Sequence, residues 1–261
     1  MTVLAAIEYG EGRPVAILHG LFGSARNWAG IARRLGLYRR AIALDLRNHG
    51  ASPRTATMSY AEMAEDVRAT MVARGHRRFA LIGHSLGGKV AMTAALAYGA
   101  DIERLIVVDM APVPYPVGYL PYVQAMRGLD LAAISRRSEA DARLATAIPD
   151  PAERAFLLQN LVLGSGPPRW QLNLAAIEQA LPTLSGFSAM PPGSTYGGPT
   201  LFISGENSDY LRPEHDAAVH RLFPNATLAR IAGAGHWVHA DQPEAFLDTV
   251  ELFLAGRPSE R

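Results

Sequence analysis

The sequence predicts an α/β fold in one domain, built on a mostly parallel, doubly wound sheet with an inserted helical cap. Short apolar runs of four to six residues alternate with amphipathic helical segments, as in sheets of buried parallel strands. A proline-rich stretch then interrupts this alternation. With 261 residues, the chain is long enough to bury one large core.

Six runs are predicted as strands, because each is rich in apolar residues and bounded by turn residues. They are residues 15–18, 41–44, 79–82, 105–108, 200–204 and 227–231. Helical segments separate several of them, so we expect parallel strands with helices on both faces of the sheet.

Three helical segments of the core have clear boundaries. Residues 59–74 carry apolar side chains at helical spacing, and Ser59 and Glu62 form a capping box at their start. Residues 86–98 and 243–254 follow the same pattern. We expect the first of these helices to connect two parallel strands.

Residues 111–198 break the alternation. They begin with several prolines, contain only helical patterns and end in a loop at 191–198. We therefore expect the core to comprise residues 1–110 and 199–261, and residues 111–198 to form a helical cap, or lid, that selects the substrate.

Two helices are predicted inside the cap. Asp150 followed by Pro151 is typical of a helix start, and we expect Gly164 to end that helix. A second helix is predicted over residues 173–181.

Composition excludes several classes of function. Lys and Arg total 25 against 24 Asp and Glu, so no nucleic-acid partner is expected. The absence of cysteine excludes disulfides, thiolate nucleophiles and cysteine-ligated metals. Apolar runs fall short of the ~20 residues that span a membrane, and the first residues lack the basic region of a signal peptide. We expect a cytoplasmic protein with no membrane span, metal or cofactor.

The segment from Gly83 to Gly88 reads Gly-His-Ser-Leu-Gly-Gly and carries the predicted chemistry. It follows a predicted strand and precedes a predicted helix, which is the context of a G-x-S-x-G nucleophile elbow. The turn presents Ser85 at the helix N-terminus, where negative charge is favoured. Ser85 is therefore the predicted nucleophile.

A second motif, His-Gly-Leu-Phe-Gly-Ser at residues 19–24, follows the first predicted strand. We expect it to complete an oxyanion hole from the backbone N–H groups of Leu21 and Leu86, each contributing ~3 to 4 kcal/mol to the transition state. His19 is expected to shape the turn.

The predicted base is His236, in the sequence Gly-Ala-Gly-His-Trp between the last strand and the last helix. Two aspartates stand at plausible strand ends to orient its imidazole. Asp109 follows residues 105–108, and Asp209 lies in the loop after residues 200–204. The motifs alone leave both aspartates open for this role.

Aromatic residues are candidates for the wall of an apolar substrate pocket. Trp28 and Trp237 flank the oxyanion and base motifs, and Tyr119 belongs to the predicted cap.

Lys89 follows the elbow glycines, and we expect it to be solvated or ion-paired.

Together these motifs resemble the α/β-hydrolase superfamily. The chain is most similar to small serine esterases, which include a bacterial esterase and acyl-CoA thioesterase group and mitochondrial abhydrolase-domain proteins. The resemblance spans nearly the whole chain, and the cap is its least similar part. It rests on residues 19–28, 45–52, 83–89, 109–112 and 233–240.

The resemblance implies a cofactor-independent carboxylesterase with a Ser-His-Asp triad. The superfamily usually takes its acid from the position three residues beyond Gly205, where this chain has Ser208. In the closer group, the aspartate after the preceding strand has that role, which implies Asp109 rather than Asp209.

Other functions remain open. An acyl-CoA thioesterase, a perhydrolase or a carbon–carbon bond hydrolase would use the same serine, whereas dehalogenases and epoxide hydrolases need an aspartate at position 85. A non-catalytic ligand receptor is the alternative from a different class. The expected partner is a small-molecule ester or thioester.

Overall fold

The protein is built around a sheet of seven strands. The structure, a computed structural model, describes residues 2–187, 191 and 193–256. Its strands are β1 Ala6–Tyr9, β2 Pro14–Leu18, β3 Arg40–Leu44, β4 Phe79–His84, β5 Ile102–Val108, β6 Leu161–Val162, β7 Arg169–Trp170, β8 Thr200–Gly205 and β9 Ala226–Ile231. The large sheet has the order β1-β3-β2-β4-β5-β8-β9, and β6 and β7 form a separate pair.

Helices surround the sheet. They are α1 Ala29–Leu35, α2 Tyr60–Ala73, α3 Leu86–Ala97, α4 Leu120–Gly128, α5 Arg137–Leu144, α6 Pro151–Leu158, α7 Leu174–Ser185, α8 Asp216–Leu222, α9 Val238–Asp241 and α10 Pro243–Leu254. Within the described ranges, none of them has both the length and the apolar character needed to cross a membrane.

The predicted fold class is confirmed. The six predicted strands lie within β2, β3, β4, β5, β8 and β9, which pair in parallel. Strand β1 pairs antiparallel with β3 at the edge and was not predicted. Its residues are only partly buried, so its apolar pattern is weak.

Alternate residues of each strand pack on opposite faces of the sheet. Ile17 packs in the cluster that contains Phe246 of α10, whereas the next residue, Leu18, packs with Val90 of α3. The sheet is therefore buried on both faces, as continuous apolar runs predict.

The predicted core helices are present with small shifts at their ends. Ser59 and Glu62 form the expected capping box at the start of α2: Ser59 N–H donates to Glu62 Oε2 at 2.9 Å. Helix α3 begins one residue after Ser85. The elbow serine is thus placed between a buried strand and a helix N-terminus.

Between β5 and β8 the chain leaves the sheet and forms α4 to α7 with the β6–β7 pair. The expectation of helical structure only was wrong, because two residues on each side of the 163–168 loop pair as strands. For the same reason α6 ends at Leu158 rather than at Gly164. Helix α7 begins after Asn173 as predicted, but it continues to Ser185.

Candidate active site

The turn from β4 into α3 holds Ser85 in a strained conformation, with φ 52° and ψ −117°. The glycines around it are required by close packing. A Cβ on Gly83 would lie 2.1 Å from the Gly87 carbonyl oxygen, and a Cβ on Gly87 would lie 2.5 Å from the His19 carbonyl oxygen. The backbone thus presents Ser85 at the carboxyl edge of the sheet.

The 19–24 loop lies directly beside this turn, since a Cβ on Gly20 would be 3.2 Å from Ser85 Cβ. Among the described residues, the N–H groups of Leu21 and Leu86 have no hydrogen-bond acceptor. Leu86 begins α3, so its N–H is one of the free donors of a helix N-terminus. Both amides are therefore available to an oxyanion.

Two buried histidines fix the position of that loop. His19 donates through Nδ1 to the Gly20 carbonyl at 2.7 Å and accepts from Leu46 N–H at 3.0 Å. His49 donates through Nδ1 to the Arg47 carbonyl and accepts from Phe22 N–H at 3.2 Å. Burial lowers the pKa of His19 to about 4 and that of His49 to about 3. Both rings are neutral at pH 7, as their acceptor nitrogens require.

Asp109 lies against the predicted base. It is fully buried at the end of β5, with φ 50°. Its Oδ2 accepts from His236 Nδ1 at 2.7 Å and from the Ser208 hydroxyl, and its Oδ1 accepts from Gly205 N–H at 3.2 Å. Asp209 instead points to solvent, with its side chain 87% exposed and 3.2 Å from Arg212.

The His236 ring is held on several sides. Tyr210 stacks on it with ring centroids 4.0 Å apart, and His84 Nε2 donates to the His236 carbonyl at 2.8 Å. Because Nδ1 of His236 is hydrogen-bonded to Asp109, its Nε2 remains available to a reacting group. Ser85 and His236 line the same cavity. Their side chains are not hydrogen-bonded to each other. In enzymes without bound substrate, catalytic hydrogen bonds are often long and shorten only in the complex.

The model of the alpha/beta hydrolase family matches residues 15–249. This range includes the turn that carries Ser85, the 19–24 loop and the loop that carries His236. The chain belongs to the alpha/beta hydrolase family.

Several relatives of this hydrolase carry esterase or lipase names. The sn-1-specific diacylglycerol lipase ABHD11 of Mus musculus is 39% identical over 251 residues, covering 92% of this chain and 80% of that protein. Esterase YbfF of Escherichia coli is 34% identical over 242 residues, covering 92% of both. A solved structure described as a marine microorganism esterase superposes with a TM-score of 0.92 at 35% identity, covering 97% of this chain and all of that one. The predicted resemblance to small esterases is confirmed.

Ser85 of the hydrolase stands between two cavities. Leu21, Ser85 and Tyr119 line both. The cavity that His236 lines is here called the outer cavity; its other aromatic and histidine side chains are His19, Phe22, Trp28, His84, Tyr122, Phe156, Trp237 and His239. The cavity that Lys89 lines is here called the inner cavity; it is also lined by residues 115–119, by Leu86, Met110, Leu181 and Leu184, and by Tyr60 and Tyr210.

The three aromatic residues proposed as pocket walls differ in their surroundings. Trp28 is 1% exposed and stacks on His239 with centroids 3.9 Å apart, so it contributes mainly packing. Trp237 lies 5.6 Å from Phe156 of α6, centroid to centroid, across the outer cavity. Tyr119 separates the two cavities, and its hydroxyl lies 3.2 Å from that of Tyr210.

Lys89 is not in solvent, and the expectation of a solvated or ion-paired side chain was wrong. It is 2% exposed, and its ammonium donates to the backbone carbonyls of Ser185 and Gly186, at 3.3 Å and 2.5 Å. Burial lowers the pKa of Lys89 to about 8. The position of Lys89 along its helix did not indicate that it is buried, because the residues that cover it come from a distant part of the chain.

Several residues of the site were not predicted from the sequence. His49 and Asn160 hold the 19–24 loop, the latter by donating to the Phe22 carbonyl at 2.8 Å. Ser208 supports Asp109 from the position where the superfamily usually has its acid. No three His, Asp or Glu residues of the described ranges are grouped as a metal site requires.

Proposed function

We propose that this hydrolase cleaves carboxylic esters of small molecules through an acyl-enzyme on Ser85, with His236 as base and Asp109 as the acid that orients it. Relatives named as esterases and lipases support ester hydrolysis. The triad is supported by the hydrogen bond between His236 and Asp109 and by the cavity that Ser85 and His236 both line. The observation that carries the proposal is the hydrogen bond from His236 Nδ1 to the buried Asp109, on the same sheet edge as the strained Ser85.

The proposed reaction proceeds in two halves. His236 Nε2 takes the proton of Ser85 as its oxygen attacks the ester carbonyl, and the N–H groups of Leu21 and Leu86 stabilise the negative oxygen that forms. The tetrahedral intermediate collapses as His236 gives this proton to the departing alcohol. Water, deprotonated by His236, then releases the acid from Ser85.

Asp109 has two tasks in this scheme. It keeps the proton of the neutral ring on Nδ1, so that Nε2 is free to act as base, and its charge stabilises the imidazolium that forms. The Ser208 hydroxyl and the Gly205 N–H favour the ionised carboxylate by donating to it. Asp209 is too exposed to share this role.

We further propose that residues 111–198 act as the cap that selects substrates. Tyr119, Phe156 and Leu181 from this segment line the two cavities, which supports a separate role for the cap in selecting substrates. The only charged side chain other than histidine among the described residues lining the outer cavity is Glu153, which accepts from the Tyr122 hydroxyl at 2.6 Å. A carboxylate there disfavours a phosphate-bearing leaving group such as coenzyme A, so esters are preferred over acyl-CoA thioesters.

The experiment is a panel of p-nitrophenyl esters and acyl-CoA thioesters of matched chain length, measured with wild type, Ser85→Ala and His236→Ala. We expect multiple turnovers of esters by wild type, labelling of Ser85 by a fluorophosphonate, and loss of both in Ser85→Ala. A folded wild-type protein that neither turns over nor is labelled would refute serine catalysis. Faster turnover of the thioesters would refute the preference for esters.

A further inference from the structure

The two cavities beside Ser85 are not equivalent if the proposed function holds. His236 must protonate the departing alcohol, and it lines only the outer cavity. Leu86, whose N–H is proposed to hold the oxyanion, lines only the inner one. The alcohol side of the ester is therefore assigned to the outer cavity and the acyl side to the inner cavity.

The inner cavity suits a short acyl group. Its volume is about 70 Å³, which corresponds to about five water-sized positions. Its lining is mostly apolar and includes Leu86 and Met110, and Lys89 lines it as well. An acyl group on Ser85 would thus share this space with apolar side chains and one positive charge.

Lys89 is exceptional in this chain, because it is the single lysine among 25 Lys and Arg residues. It follows Ser85 by one helical turn, with Lys89 N–H donating to the Ser85 carbonyl at 3.1 Å. Ser85 itself precedes the helix in a non-helical conformation, so the helix face does not place its side chain. Both residues, however, line the inner cavity, so the nucleophile and the ammonium group share that space.

The ammonium lies among groups that line the inner cavity. It donates to the Ser185 carbonyl and lies 4.8 Å from the ring centre of Tyr115 and 5.8 Å from that of Tyr60. The nearby hydroxyls are already engaged: Tyr60 donates to the Leu184 carbonyl, and Tyr115 donates to the Tyr210 carbonyl. Lys89 is the one charged side chain among the described residues that line this cavity.

No carboxylate of the described chain pairs with Lys89; its hydrogen-bond acceptors are two backbone carbonyls and its other neighbours are aromatic faces. A buried cation without a counter-ion is costly. Arginine, which the chain uses at 24 positions, cannot lose its charge and is bulkier. A carboxylate brought in by a substrate would supply the missing counter-charge inside a cavity that opens on the nucleophile.

We propose that Lys89 determines specificity, by binding a carboxylate at the far end of the acyl group. Preferred substrates would then be monoesters of short dicarboxylic acids, with the ester carbonyl at Ser85 and the free carboxylate at the Lys89 ammonium. A charge-assisted hydrogen bond in this setting predicts about a 10-fold or greater preference for the acidic substrate over a neutral one.

The test compares monoethyl succinate, glutarate and adipate with ethyl butanoate, pentanoate and hexanoate. In each pair a methyl group replaces the carboxylate at the same carbon count, and release of ethanol gives kcat/KM for both. We expect wild type to prefer one of the acidic esters about 10-fold or more, and Lys89→Met to lose this preference while it still hydrolyses the neutral partner. A merely structural role of Lys89 would lower both rates together and leave their ratio unchanged.

Arg212→Met is the matched control, because it also removes one positive charge, but from an exposed side chain outside both cavities. It should keep the wild-type ratio. A wild-type preference for the neutral esters, an unchanged ratio in Lys89→Met, or an equal loss in Arg212→Met would each overturn the proposal. Absence of turnover with every ester, together with absence of fluorophosphonate labelling, would instead refute the proposed function.

A binding measurement keeps the proposal testable if Lys89→Met does not fold or wild type turns over no ester. Protein labelled with lysine carrying ¹³C at Cε gives one side-chain signal, because Lys89 is the only lysine. Glutarate should shift the Cε signal of wild type in a saturable way, and pentanoate should not. If neither acid, or both equally, moves the signal, Lys89 does not bind the acyl carboxylate.

Discussion

The catalytic edge of the sheet and the segment 111–198 are held in place in different ways. At the sheet edge, Ser85 and Asp109 directly follow adjacent parallel strands, and each donates its backbone N–H to the next strand, at 3.1 Å and 2.7 Å. In the segment, backbone carbonyls accept from long side chains of the core, as at Lys89 and Tyr60. Ser85 and Asp109 are thus fixed by backbone bonds to the adjacent strand, whereas the segment is held by apolar packing on the core, by such side-chain bonds and by a backbone bond from Asn173 N–H to the Asn48 carbonyl. We therefore expect changes at the edge to affect chemistry and changes in the segment to affect selection.

The largest expected effect lies at the sheet edge. Ser85→Ala should lower kcat by about 10⁵-fold or more, because no other hydroxyl occupies the strained turn. Circular dichroism and the melting temperature of the variant should match wild type. Substantial esterase activity that survives repurification would show that the nucleophile lies elsewhere.

The second prediction separates the two candidate acids. Asp109→Asn should lower kcat by about 10⁴-fold, because an amide does not hold the Nδ1 proton of His236 as a carboxylate does. Asp209→Asn, which changes an exposed side chain, should stay within about two-fold of wild type. The reverse order of these two effects would assign the acid to Asp209.

The third prediction concerns the stability of the protein at low pH. None of the eight histidines lies within residues 111–198, whereas His19, His49, His84 and His239 are buried in the core. Burial lowers the pKa of His19 from 6.5 to about 4, so the unfolded chain binds more protons than the native chain as the pH falls below 6.5. The free energy of unfolding should therefore fall between pH 6.5 and 4, by about 3 kcal/mol from His19 alone.

Urea unfolding at pH 7, 6, 5 and 4 measures this loss. Hydrogen exchange at pH 5 should show amide protection falling first around the 19–24 loop. Opening of this loop breaks the bonds that His19 and His49 accept from Leu46 and Phe22, and the exposed imidazoles then take up protons, which favours the open state. Stability that stays constant down to pH 4, or an earlier loss of protection in segment 111–198, would contradict the prediction.

The smallest expected effect tests whether the two regions are independent. Asn160, in segment 111–198, donates to the Phe22 carbonyl at 2.8 Å in the loop that carries Leu21. Asn160→Ala should lower kcat by about 10-fold by loosening one oxyanion donor, without removing it. The control, Asn173→Ala, breaks a contact with the core at Asn48 and Thr55, away from that loop, and should leave kcat within about two-fold. Equal values for the two variants would mean that Asn160 does not position the donor.

Much of the fold could be predicted because parallel strands buried on both faces leave an apolar signature that is local in sequence. The same holds for Ser85, whose glycines at positions 83 and 87 are required by contacts within the turn and with the adjacent strand. Strand β1 could not be predicted in this way, because an edge strand that is only partly buried lacks that signature. The β6–β7 pair is too short to show any period.

The site was predictable to the extent that its residues belong to motifs. The motifs alone left two aspartates at strand ends open, and the family resemblance implied Asp109; the fold puts Asp109 on His236 and leaves Asp209 in solvent. The burial of Lys89 likewise could not be predicted from the sequence. Its count of one among 25 basic residues was visible in the sequence, but the carbonyls of Ser185 and Gly186 that bury it lie almost a hundred positions away.

By itself, the sequence determined the order of the six parallel strands and of three core helices, the serine turn and the classes of chemistry that a cysteine-free chain excludes. These depend on residues that are neighbours along the chain, where spacing and turn chemistry decide the conformation. Only the tertiary structure decided which carboxylate meets the imidazole, that Ser85 opens onto two cavities, and that Lys89 lies buried beside one of them. Those features arise from contacts between distant segments, whose relative positions are set by packing of the whole core.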